Sequence, residues 1–149
     1  MKTLPNDIFF AEVERMIAEE RQVVLRVRGN SMRPFIRSDR TRVQLSPCQP
    51  QSLKKGDIVL FRFRGRHILH RIIRRDGERF LLAGDGNYRK TETCTVNDIV
   101  AVVVAVIRPD GRTVECTSLR WRAASKIWVS FPPLLRRIIL GVMWRSGLR

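Results

Sequence analysis

Acidic residues run out before the chain does. After Glu115 there is no aspartate or glutamate, only Arg120, Arg122, Lys126, Arg136, Arg137, Arg145 and Arg149. Residues 1–20 have the opposite balance, with Asp7, Glu12, Glu14, Glu19 and Glu20 against Lys2 and Arg15. A tail of one sign cannot neutralise itself, and it reads either as a contact surface or as a solvated face. With a formal net charge of +15 over 149 residues, the expected partners are anionic: nucleic acid, an anionic membrane surface or an acidic peptide.

Other shortages narrow the field further. The three cysteines, Cys48, Cys94 and Cys116, form no CxxC pair and are odd in number. Neither a zinc site nor a disulfide framework is indicated, and free thiols suit a reducing compartment. Aromatics make up only 7% of the chain, and no RRM, KH or zinc-finger pattern is present, so nucleic acid is not the expected partner. Phe61 and Phe63 alternate with Arg62 and Arg64, which imitates a stacking strand but reads better as core. The N-terminus is acidic and lacks the apolar stretch of a secretory signal. The longest apolar runs, Ile99 to Ile107 and Ile127 to Leu135, are half of the ~18 residues a membrane span needs. The expected location is therefore cytoplasmic, or peripheral on the inner face of a membrane.

What is present reads as one domain of mostly β (α+β) class. Pro5-Asn6-Asp7 opens a helix running to about Glu20, with Ile8, Phe9, Val13, Met16 and Ile17 on its apolar face. Strands are expected over Gln22 to Arg28, Thr41 to Leu45, Asp57 to Phe63, His67 to Arg74, Arg79 to Ala83, Ile99 to Ile107 and Thr113 to Cys116. Turns at Arg64-Gly65-Arg66, Asp76-Gly77 and Pro109-Asp110-Gly111 separate several of them. Short strands at this spacing predict an antiparallel sheet or partly open barrel. Ser118 is placed to cap a helix through Val129, and Pro132-Pro133 to start another. In that last helix Leu134, Ile138 and Val142, with Leu135, Ile139 and Met143, form a broad apolar face that either docks on the sheet or lies in a membrane interface. The domain organisation is thus an N-terminal helix (1–22), a β core (23–116) and a basic amphipathic tail (117–149).

Three segments carry candidate chemistry. In Gly29-Asn30-Ser31-Met32-Arg33-Pro34 a serine sits on a tight turn after a strand, where its Oγ projects beside free backbone N–H groups that can bind an oxyanion. Such a serine is more often a plain turn residue. In Ile68-Leu69-His70-Arg71-Ile72-Ile73 a histidine lies within an apolar strand. His70 shares a face with Ile68 and Ile72, while His67 points the other way. A neutral imidazole there can take a hydroxyl proton near pH 7, or can simply be a half-buried core group. In Gly84-Asp85-Gly86-Asn87 an aspartate lies between glycines, either as an ordinary turn residue or as an acid that orients an imidazole.

Taken in order, these segments resemble the catalytic domain of type I signal peptidases, a clan shared with LexA-type self-cleaving repressors. Gly29-Asn30-Ser31-Met32-Arg33-Pro34 matches the nucleophile box G-x-S-M-x-P. Lys55-Gly56-Asp57-Ile58-Val59 matches the G-D-I-V segment, Leu69 to Ile73 resembles the box that carries the base, and Ala83 to Asn87 resembles the G-D-x-N box. The resemblance runs from about Val24 to Ile107. His70 in place of the usual bacterial lysine is similar to the archaeal and endoplasmic-reticulum branch.

The resemblance implies a serine endopeptidase that cuts signal, leader or precursor peptides. Ser31 is the expected nucleophile and His70 the base. Asp85 is the expected acid, Glu92 the alternative, and a Ser-His dyad a third possibility. Asn30, Ser31 and Met32 are the expected substrate and oxyanion contacts, with a buried core role for Met32 as the other reading. Arg71 either buttresses the site or faces solvent. No metal or organic cofactor is implied. The expected partners are a peptide or precursor-protein substrate and, at the periphery, an anionic membrane. The alternative function is a non-catalytic basic module that binds nucleic acid or such a membrane.

Overall fold

The computed structural model describes residues 6–27, 31–36 and 40–145. It opens with helix α1 (Asn6–Ala18) and continues through strands β1 (Val23–Arg26), β2 (Arg42–Ser46), β3 (Ile58–Phe63), β4 (Arg66–Asp76), β5 (Arg79–Gly84), β6 (Asn87–Thr95), β7 (Ile99–Ile107) and β8 (Thr113–Glu115). Helices α2 (Leu119–Ser130) and α3 (Pro133–Arg145) follow. Among the described residues the strands form one sheet in the order β1-β2-β7-β3-β4-β5-β6, with β8 also on β7. Every pairing is antiparallel. The sheet is open, ending at β1 and β6, and the fold is the expected mostly β, α+β class.

Period-2 alternation along the central strands builds two apolar clusters. Ile58 and Leu60 of β3 join Val13, Ile17, Met32, Ile36, Val43, Leu45, Val103 and Trp121. Val59 and Phe61 point the other way, into Ile72, Phe80, Leu82, Cys94 and Ile99. β3 is covered on both faces, which is why its sequence Ile-Val-Leu-Phe is continuously apolar rather than alternating. Phe61 is fully buried and Phe63 packs, partly buried, against the same cluster.

α1 is pinned to the sheet by Val13 and Ile17, by a stacked Phe10–His67 pair with centroids 4.4 Å apart, and by an Arg62–Glu14 ion pair of 3.2 Å. Ile8, expected on the apolar face, is exposed, and Phe10 takes its place against the sheet. Ser118 caps α2 as expected, its hydroxyl accepting from the Trp121 backbone N–H at 3.2 Å. No helix among the described residues is long and apolar enough to cross a membrane.

The element not foreseen is β6. Its Asn-Tyr-Arg-Lys-Thr-Glu-Thr-Cys-Thr sequence is almost wholly polar, because β6 is an edge strand with one face in solvent. Glu92 and Cys94 are nonetheless buried while Thr91, Thr93 and Thr95 are exposed, a period-2 pattern carried by β-branched threonines.

Candidate active site

Ser31 is half-buried and begins the turn that ends in the backbone hydrogen bond from Ile36 N–H to the Met32 carbonyl, 2.9 Å. Its own carbonyl accepts from the Gly86 N–H at 2.8 Å. This bond ties the serine turn to the β5–β6 turn, Gly84 to Asn87. Gly84 shows how closely the parts approach. A Cβ placed on it would overlap the Ser31 carbonyl oxygen and stand 2.9 Å from His70 Nε2. The Ser31 backbone and the His70 ring therefore meet over the α-carbon of Gly84, and only glycine leaves room for both.

His70 lies mid-way along β4, paired with Val59 of β3, and is 5% exposed. Its Nδ1 stands 3.1 Å from Glu92 Oε2. With Nδ1–H donating to that carboxylate, the lone pair resides on Nε2, on the Gly84 side. Glu92 is itself 4% exposed, so the pair is held in a water-poor setting. The arrangement can accept a proton at Nε2 and stabilise the resulting imidazolium through Nδ1.

Asp85 does not face His70. Its carboxylate takes two hydrogen bonds from Arg71, Nε to Oδ1 and Nη2 to Oδ2, both 2.7 Å. The reason lies in the strand geometry. Neighbouring residues of β4 point to opposite faces, His70 towards the side of Phe61, Ile72 and Glu92, and Arg71 towards Phe35 and the Asp85 turn. This corrects the expectation that Asp85 orients the imidazole; the carboxylate beside the ring belongs to Glu92. Burial pushes the Asp85 carboxyl above the ordinary aspartate range, opposed by the hydrogen bonds and charge of Arg71.

Arg71 is the centre of a buried frame rather than a solvent-facing residue. It is 0% exposed, donates from Nη1 to the Gly56 carbonyl at 2.8 Å, and lies over the Phe35 ring at 4.9 Å. Lys55-Gly56-Asp57 therefore serves as an anchor: Gly56 receives Arg71, and Asp57 accepts from the Lys54 N–H at 2.9 Å. From the other side, Trp128 of α2 donates its indole N–H to the Asp85 carbonyl at 3.1 Å. The Asp85 turn is thus held by β4, by the serine turn and by α2 together.

Met32 and Asn30 were the other expected contacts. Met32 is 2% exposed and packs in the core with Val13, Ile36 and Val43; its side chain fills the interior and does not line a substrate cleft. Asn30 lies outside the described residues. Among the described residues no group of three or more His, Cys, Asp or Glu side chains is placed to hold a metal ion.

The Ser31 backbone lies beside an imidazole whose far nitrogen meets a buried carboxylate, and a serine, an imidazole and a carboxylate are the residue types that serine hydrolases use. The comparison of sequences agrees. Residues 3–106 match the Peptidase S24-like family, and the chain belongs to that family, whose members are of serine-peptidase type. A search of curated proteins finds no match to the chain. The family match includes α1 and stops within β7, so β8, α2 and α3 lie beyond it.

Proposed function

We propose that the protein is a serine endopeptidase that cuts signal, leader or other precursor peptides, with Ser31 as nucleophile, His70 as general base and Glu92 as the residue that orients the imidazole. The observation that carries this reading is the position of His70: Nε2 beside the Ser31 backbone over Gly84, and Nδ1 on Glu92.

In the reaction, Ser31 Oγ attacks the scissile carbonyl carbon while His70 Nε2 takes the hydroxyl proton. Glu92 stabilises the imidazolium, which then gives its proton to the departing amine as the C–N bond breaks. An ester to Ser31 remains. Water attacks it with His70 again as base, releasing the acid product and restoring the serine. Proton transfer of this kind contributes on the order of 10²–10⁴-fold in rate. The Ser31 backbone N–H is the expected oxyanion donor, an interaction whose loss typically costs about 10²–10³-fold. The substrate binds as an added strand, its backbone in the ladder and alternate side chains in shallow pockets; β1 is an edge strand of the sheet.

The test is incubation of the full chain with a mixed peptide library, with new termini read by mass spectrometry, beside the His70→Ala variant. Cleavage at a shared residue pattern by the parent and none by the folded variant supports the reading. Equal cleavage by both removes His70 from the mechanism.

A further inference from the structure

We propose that α3 is an interfacial helix that seats the protein on an anionic lipid surface. Leu134, Ile138 and Val142 are 68%, 54% and 60% exposed, and in a helix they recur on one side. That side is turned away from the body of the protein. Arg137 and Leu140 line a cleft of about 260 Å³ with Gly86 and Asn87 of the β5–β6 turn and Arg89 of β6. At 100° per residue the exposed stripe is centred roughly 100° around the helix from Arg137 and about 160° from Leu140. α2 uses its inner face for Trp121, Ser125 and Trp128 and leaves Ile127 and its basic residues outside.

Charge identifies the occupant. Beyond Glu115 the chain contains basic residues and no acids, and Arg120, Arg122, Lys126 and Arg137 are exposed. A second copy would set this same basic surface against itself, since a two-fold contact repeats one patch on both partners. A 13-residue helix is also only about 20 Å long, and one stripe of it is far short of the ~800 Å² per partner of a stable protein contact. A lipid surface needs no such area. It accepts an aliphatic stripe among its acyl chains and anionic headgroups around the arginines. Because the Trp128 indole holds the Asp85 carbonyl, the helical unit that meets the membrane is fastened to the turn that supports Ser31. The surface itself does not depend on the chemistry proposed for Ser31.

Co-sedimentation of the full chain with vesicles of phosphatidylglycerol and phosphatidylcholine, against phosphatidylcholine alone, tests the proposal. The parent should pellet with the anionic vesicles and far less with the neutral ones. Ile138→Asp combined with Val142→Asp should abolish pelleting while circular dichroism and cleavage of a soluble peptide stay unchanged. Arg120→Gln, Arg122→Gln and Lys126→Gln together should weaken it about 100-fold, at roughly fivefold for each charge near the surface; should the aspartate variant misfold, this variant decides alone. A parent that stays in the supernatant, or folded variants that pellet like the parent, would overturn the proposal. So would light scattering that shows a dimer which the aspartate variant dissolves, since the stripe would then belong to a second copy.

Discussion

Replacing Asp85 with asparagine separates a structural acid from a catalytic one. In the parent, Arg71 and Asp85 are 0% and 4% exposed and share two hydrogen bonds of 2.7 Å. Asp85→Asn removes the negative charge and one acceptor, leaving the guanidinium buried with one amide oxygen, the Gly56 carbonyl and the Phe35 ring but no counter-charge. Removing one partner of a buried pair costs about 3–5 kcal/mol, because the other charge is left uncompensated. At the lower end of that range the melting temperature should fall by about 6–12 °C for a chain of this length, and the urea midpoint by ~1.5 M. The combined variant Arg71→Met, Asp85→Leu removes both charges and should recover most of the loss, since apolar groups of similar volume often replace a buried pair at little cost. Urea unfolding of the parent and the two variants supplies the measurement. An Asp85→Asn protein as stable as the parent but inactive would refute the reasoning, since that is the pattern of an acid acting on the imidazole.

Glu92→Gln should leave the protein folded and lower kcat by about 10²–10⁴-fold, because an amide donating to Nδ1 favours the tautomer whose Nε2 already carries a proton; steady-state kinetics that match the parent would remove Glu92 from the site. Gly84→Ala should reduce cleavage at least tenfold and destabilise by about 1–3 kcal/mol, since the new methyl overlaps the Ser31 carbonyl and crowds His70; parental activity would mean that the two do not converge there. Burial pushes the thiols of Cys94 and Cys116 up to about 12 and raises that of Cys48. A raised thiol value means little thiolate below it, so at pH 8 the folded protein should resist iodoacetamide at Cys94 and Cys116 and react only after unfolding, as peptide mapping would show.

Much of this architecture was legible because local chemistry and fold agree. Gly65, Gly77 and Gly111 sit at positive φ in the turns that their sequences predict, and the apolar stretches Asp57 to Phe63 and Ile99 to Ile107 became β3 and β7 at the centre of the sheet. Edge strand β6 was not legible, since a strand with one wet face carries few apolar residues, and with it went the position of Glu92. The choice between Asp85 and Glu92 depends on which face of β4 each approaches. Asp85 follows a register shift between Ala83 and Gly84, which no pattern of residue types reveals. Arg71 illustrates the same limit: one residue from His70, it reads equally as a buttress or as solvent-facing until the carboxylate that buries it is located. The exposed stripe of α3 was visible as an apolar face, but whether the sheet covered it was a tertiary fact.

The claim on which the account rests is that Ser31 Oγ is the nucleophile. The direct measurement is the cleavage rate of the best library peptide by Ser31→Ala at parental concentration, with urea unfolding to establish that the variant is folded. The expected result is a parental fold and a rate indistinguishable from that without protein. Cleavage by the folded alanine variant at anything near the parental rate would contradict it.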